Sequence, residues 1–141
     1  SSHLPLDTPL QEIHDYFAKQ LEIFPLLNED IHMRVTEMGN QNILVEPADE
    51  KSAKRLEEIR TYVSEKAGVR FPNHDRYQFH ISIGYLRVPL TEEENEEFTK
   101  VKKELTKVLL EKVPVITVNR IDYTVFEDMR RFVPYCEKFG K

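Results

Sequence analysis

The chain has 141 residues, 40% of them apolar, with eight phenylalanines and six tyrosines, so a single domain over residues 1–141 with its own core is expected. Twenty Lys and Arg against twenty-five Asp and Glu leave a net charge of −5, which excludes the coating of long nucleic acid by charge alone and leaves a small phosphorylated ligand open. The lone Cys136 excludes an intrachain disulfide, and no membrane-length apolar run or signal-peptide pattern is present, so a cytoplasmic location and no membrane partner are expected.

His3, in the opening Ser1-Ser2-His3, is given no role. Thr8-Pro9-Leu10-Gln11 carries the marks of a helix start: a threonine cap, proline at the first helical position, and glutamine three residues after the cap. The helix is expected to reach about Phe24, with Leu10, Ile13, Phe17, Leu21 and Phe24 as its buried stripe and Pro25 as its stop. His14 lies beside that stripe and is a boundary residue.

A strand follows a turn at Asn28 to Asp30. In Ile31-His32-Met33-Arg34-Val35-Thr36 the apolar residues point one way, and His32, Arg34 and Thr36 the other. It is expected to end near Met38, before a Gly39-Asn40 turn, and Gln41 to Val45 is either a short strand or an ordered loop. Pro47 and Asp49 then lead into a second helix with Ala53, Leu56, Ile59, Val63 and Ala67 on its apolar stripe and Gly68 at its end.

After a loop at Pro72 to Asp75, the stretch from Tyr77 to Tyr85 alternates again and is expected to continue as strand up to Pro89. Phe79, Ile81, Ile83 and Tyr85 face a core, Tyr77 shares that face, and His80, Ser82 and Gly84 form a polar row. Thr91 and Glu94 make a capping box for a third helix, buried through Phe98, Val101, Leu105 and Val108, whose Glu- and Lys-rich outer face reads as solvated surface. Val115 to Val118 and Ile121 to Phe126 read as strands, and the tail from Arg130 has no period. That order fits an α+β fold: a mainly antiparallel sheet, helices packed on one face, and the other face left as an open polar surface.

Two strands thus carry one histidine each on a polar face. If both lie in one sheet, the imidazoles can serve as paired general acid and base, each with an anion contact two residues on, Arg34 or Ser82. His74-Asp75 is a weak metal ligand set, and no H-E-x-x-H, paired cysteines, nucleophile elbow or glycine-rich loop is present, so no metal and no cofactor is expected. Arg76 and Arg87 default to surface residues, while Tyr123 and Phe126 are the candidates for stacking on a base.

The string His80-Ile81-Ser82-Ile83 resembles the motif of the two-histidine phosphoesterase superfamily: histidine, apolar, serine or threonine, apolar. Residues Pro72 to Leu86 resemble a fungal and bacterial branch of it, and His32-Met33-Arg34-Val35 looks like that branch's first motif. The resemblance runs from about Pro25 to about Pro134. It implies a two-lobed sheet with an open polar cleft and one motif on each lobe. It also implies metal-independent hydrolysis of 2′,3′-cyclic phosphates on nucleotides or RNA 3′ ends, with His32 and His80 as acid and base.

By the same resemblance Ser82 holds a non-bridging oxygen; Arg34 and Thr36, on the polar face of the first histidine strand, are the other substrate-binding candidates. Arg34 stands where the family carries serine or threonine, so it either clamps a phosphate or fills the site. The family also has a strand before its first helix, expected here either outside the sequence or from a second copy pairing on an unpaired sheet edge as a homodimer. Two alternatives remain: a degenerate module that binds a phosphate or RNA end without cleaving it, and a protein-interaction domain.

Overall fold

The computed structural model describes residues 5–21, 29–121, 124–125 and 132–134. Its elements, in chain order, are α1 (Leu10–Leu21), β1 (Ile31–Met38), β2 (Asn42–Pro47), α2 (Glu50–Ala67), a 3-10 turn (His74–Arg76), β3 (His80–Ser82), α3 (Glu92–Lys112), β4 (Val115–Val118), β5 (Thr124–Val125) and β6 (Val133–Pro134). The fold is α+β. Two compact units divide it: residues 30–56 with 73–118, and residues 1–29, 57–72 and 119–141. Among the described residues no helix is long and apolar enough to cross a membrane.

The first unit holds a four-stranded antiparallel sheet in the order β3-β2-β1-β4. Its centre is β1, where the apolar alternation becomes burial: Ile31 and Val35 are 1% and 2% exposed, and Met33 and Val45 join them inside. Each such side chain contributes roughly 1.5–3 kcal/mol of apolar transfer, so this row locks the register of the strand. The β1–β2 connection turns tightly at Gly39, whose N–H donates to the Asn42 carbonyl at 2.7 Å and where a Cβ would collide with the Asn42 side chain.

One register irregularity follows. Val35 pairs with Val45, but the next pair is Glu37 with Leu44, so Thr36 is the extra residue of a β-bulge. Glu37 then takes the polar-face position that strict alternation gives to Thr36.

The organising strand around His80 is shorter than its alternation predicts. Only His80–Ser82 is strand, Tyr77 to Phe79 are irregular after the 3-10 turn at His74–Arg76, and Ile81, Ile83 and Tyr85 are 38%, 53% and 53% exposed. The expectation that this row and Tyr77 form core is therefore corrected. Side chains supply part of what a longer ladder would: Gln78 Nε2 donates to the Val45 carbonyl at 3.0 Å, and Leu86 N–H donates to Gln41 Oε1 at 3.0 Å.

The capping box of α3 forms as expected, with Glu94 N–H donating to Thr91 Oγ1 and Thr91 N–H donating to Glu94 Oε2. Its buried face is different. Val101, Leu105 and Val108 are exposed, while Phe98, Lys102, Thr106 and Leu109 are half-buried. Polar anchors set this rotation: Met38 N–H donates to Thr106 Oγ1 at 3.0 Å, and Lys102 Nζ donates to Asn40 Oδ1 at 2.6 Å.

In α2, Asp49 caps the first turn and Gly68 ends the helix in the left-handed region, with φ 68°. Ile59 is buried as expected, but Ser52 rather than Ala53 is the buried residue of the first turns. The second unit contains α1, the later part of α2, and the β5–β6 pair. In α1 the Thr8 hydroxyl donates back to the Pro5 carbonyl at 2.7 Å, and the first helical bond runs from Ile13 N–H to the Pro9 carbonyl. Leu10 is exposed and His14 half-buried. The expected helix end near Phe24, Tyr123 and Phe126, and most of the tail lie outside the described residues.

Candidate active site

The register decides which side chains share a face, because residues directly opposite in a ladder point the same way. His32 opposes Thr117, Arg34 opposes both Val115 and Glu46, Leu44 opposes His80, and Asn42 opposes Ser82. One face of the sheet therefore carries Thr117, His32, Arg34, Glu46, His80 and Ser82. The opposite face holds Ile31, Met33, Val35 and Val45. Both histidines are exposed on the polar side.

They are not neighbours on it. His32 is level with Ala48, just past the end of β2, as the Ala48 N–H to His32 carbonyl bond of 2.9 Å shows, whereas His80 is level with Leu44. Two strand spacings of about 4.8 Å and four residues of about 3.3 Å put the two Cα atoms about 16 Å apart on the diagonal. Halfway along that diagonal, on β2, stands Glu46.

Both Nδ1 atoms already face an oxygen. His80 Nδ1 lies 3.3 Å from the Gln78 carbonyl, which can only accept, so the neutral ring carries its proton on Nδ1 and its lone pair on Nε2. His32 Nδ1 lies 3.3 Å from Thr117 Oγ1, a hydroxyl that can donate or accept. His32 thus leans toward β4, on the side away from His80.

Beneath His32 the support is specific. Its backbone N–H donates to Ser52 Oγ at 2.9 Å, and the Ser52 N–H donates to the Asp49 carboxylate at 2.7 Å, which ties the amino end of α2 to the first histidine. The hydrogen bond from the Ser52 backbone, followed by that from its side chain, holds the Asp49 carboxyl below the usual aspartate range, with smaller help from the charges of His32 and Lys51. Asp30, His32, Asp49, Lys51, Ser52 and Lys54 line an open depression there.

Arg34 is engaged. Its guanidinium pairs with Glu46, Nη2 and Nε both donating to the same carboxylate oxygen, the latter at 3.1 Å. The Thr36 hydroxyl donates to the Leu44 carbonyl at 3.2 Å, within the ladder. Ser82 keeps its place on the polar face, and Gly84 beyond it has open space where a Cβ would be. Arg76 lies in the 3-10 turn rather than on the strand, and Arg87 is exposed.

Sequence reasoning missed three residues of this site: Glu46 and Thr117 on its face and Ser52 buried beneath it. Glu46 and Thr117 gain meaning only from the pairing of distant strands. Ser52 did carry a signal, since Asp49 three residues before it is the spacing of an N-cap with its N3 residue.

Residues 1–44, which include the first histidine strand, match the family model "2H-phosphodiest", described as a domain of unknown function (DUF1868). The matched segment carries His32 and ends before His80. No curated protein matches. The chain is also similar to the crystal structure of a conserved protein of unknown function, ATU0111, from Agrobacterium tumefaciens str. C58, with 28% identity and a TM-score of 0.81. The similarity covers 93% of this chain and 56% of that one, so the chain spans little more than half the length of that relative.

Proposed function

We propose that the chain is a metal-independent phosphoesterase that hydrolyses 2′,3′-cyclic phosphates of nucleotides or RNA ends, with His80 as general base and His32 as general acid. The observation that carries the reading is the shared face: His32, Arg34, His80 and Ser82 all project from one side of one sheet. Side chains stand roughly perpendicular to a sheet, so both rings must lean inward over β2 to bracket one phosphate.

In the reaction a water oxygen attacks phosphorus and gives its proton to Nε2 of His80, the nitrogen that holds the lone pair. The bond from phosphorus to one ribose oxygen breaks, and that oxygen takes a proton from His32. Ser82 donates to a non-bridging oxygen as charge grows on it. Reaching this arrangement requires the His32 ring to turn from Thr117 toward β2.

Replacing either histidine by alanine is expected to lower turnover of a 2′,3′-cyclic nucleotide by roughly 10² to 10⁴ in the presence of chelator, with the fold retained. Parental activity in both variants would falsify the assignment. A second reading, binding of a phosphate end without cleavage, is favoured by the Arg34–Glu46 pair, which occupies the ground between the histidines. It is distinguished by saturable binding of the same nucleotides with no product formed.

A further inference from the structure

We propose that Glu46 is an electrostatic discriminator: it holds Arg34 in the absence of ligand, yields it to a singly charged phosphodiester, and disfavours a doubly charged phosphomonoester. The inference rests on the phosphate site proposed above and assigns it a charge preference. Three observations carry it. Glu46 stands at the midpoint of the diagonal between His32 and His80, where a phosphate touched by both must lie. It pairs directly with Arg34 on the neighbouring strand. Both side chains are about half exposed, 46% for Glu46 and 56% for Arg34.

An exposed ion pair is weak and exchanges readily. The guanidinium donates from Nε and Nη2 to one Glu46 oxygen, whereas a phosphate presents two unsubstituted oxygens to the same fork, which gives a bidentate contact. A phosphodiester can therefore displace the carboxylate. Glu46 cannot leave, because its backbone is fixed opposite Arg34 in the ladder, so its negative charge stays within a few ångströms of the ligand. Repulsion scales with ligand charge, and a dianion feels twice that of a monoanion. For ring opening this favours the cyclic diester over the monoester that it becomes, so Glu46 promotes product release.

The test is titration of the full chain at pH 8 and constant ionic strength with dimethyl phosphate, a monoanionic diester, and with inorganic phosphate, mainly a dianion. Binding is followed by the Arg34 Nε–H and Ser82 amide resonances. Glu46→Gln is expected to tighten inorganic phosphate about tenfold and dimethyl phosphate about threefold, Glu46→Asp to behave like the parent, and Arg34→Ala to weaken both ligands. Equal gains for both ligands in Glu46→Gln, no gain, or undiminished binding in Arg34→Ala overturns the proposal. None of these titrations requires turnover, so failure of the catalytic assignment, read from the histidine variants, is a separate result.

Discussion

The two histidine segments share one alternating pattern and differ in almost everything that surrounds it. Around His32 the alternation is a buried strand at the centre of the sheet: Ile31, Met33 and Val35 are inside, and neighbours pair on both sides. Around His80 it is three residues of edge strand with Ile81 38% exposed. Alternation fixes which way a side chain points, while burial depends on what the rest of the chain brings to that face. The first histidine therefore stands on a buried, doubly paired strand and the second on an exposed edge.

Core deletions test this contrast with the largest expected effect. Ile31→Ala should lose about 2–5 kcal/mol of unfolding free energy in urea titration, as for other buried large-to-small changes. Ile81→Ala should lose less than about 1 kcal/mol, because much of its side chain already meets water. Equal losses at the two positions would mean that the strands are equally structural.

A smaller effect is expected from the polar support of each histidine. Ser52 is buried, and its hydroxyl accepts the His32 N–H, so Ser52→Ala leaves that donor without its partner and should cost about 1–3 kcal/mol. Gln78→Ala removes a part-exposed bond to the Val45 carbonyl and should cost about 0.5–1 kcal/mol, seen chiefly as faster amide exchange in residues 79–83. Uniform loss of protection across the sheet would contradict a locally anchored β3.

The sequence was legible where the information is local. Residues 31–38 were expected as a strand and are one, the Thr91–Glu94 box formed, and the parity of His32 and His80 came directly from their neighbours. What escaped is set by partners far along the chain. The bulge at Thr36 arises from how β2 registers on β1, and nothing in the strand itself marks it. The rotation of α3 reflects polar anchors to Met38 and Asn40, which override an apolar stripe that looked inward-facing. Glu46 reads as one more surface acid until the ladder sets it opposite Arg34, and the diagonal offset of the histidines is likewise a property of three strands together.

The smallest effect separates the two histidines by pH. Asp49 caps α2, and its carboxyl lies below the usual aspartate range chiefly because the Ser52 backbone N–H bonds to its ionised form. A folded value below the unfolded one means that this stabilisation is fully present above the ordinary aspartate pKa and is lost as pH falls through the lower folded value. Acidification through that window should shift the Ser52 amide and then, through the Ser52 hydroxyl, the His32 amide, while the His80 amide stays still because β3 is separated from β1 by β2 and has no contact with Ser52 or Asp49 among those that define the cap. Asp49→Asn keeps a side chain that caps about as well and removes the titrating group, so it should leave neutral-pH stability nearly unchanged and flatten the acid response of both amides. A Ser52 amide that moves as much in the asparagine variant as in the parent would show that another group drives the change.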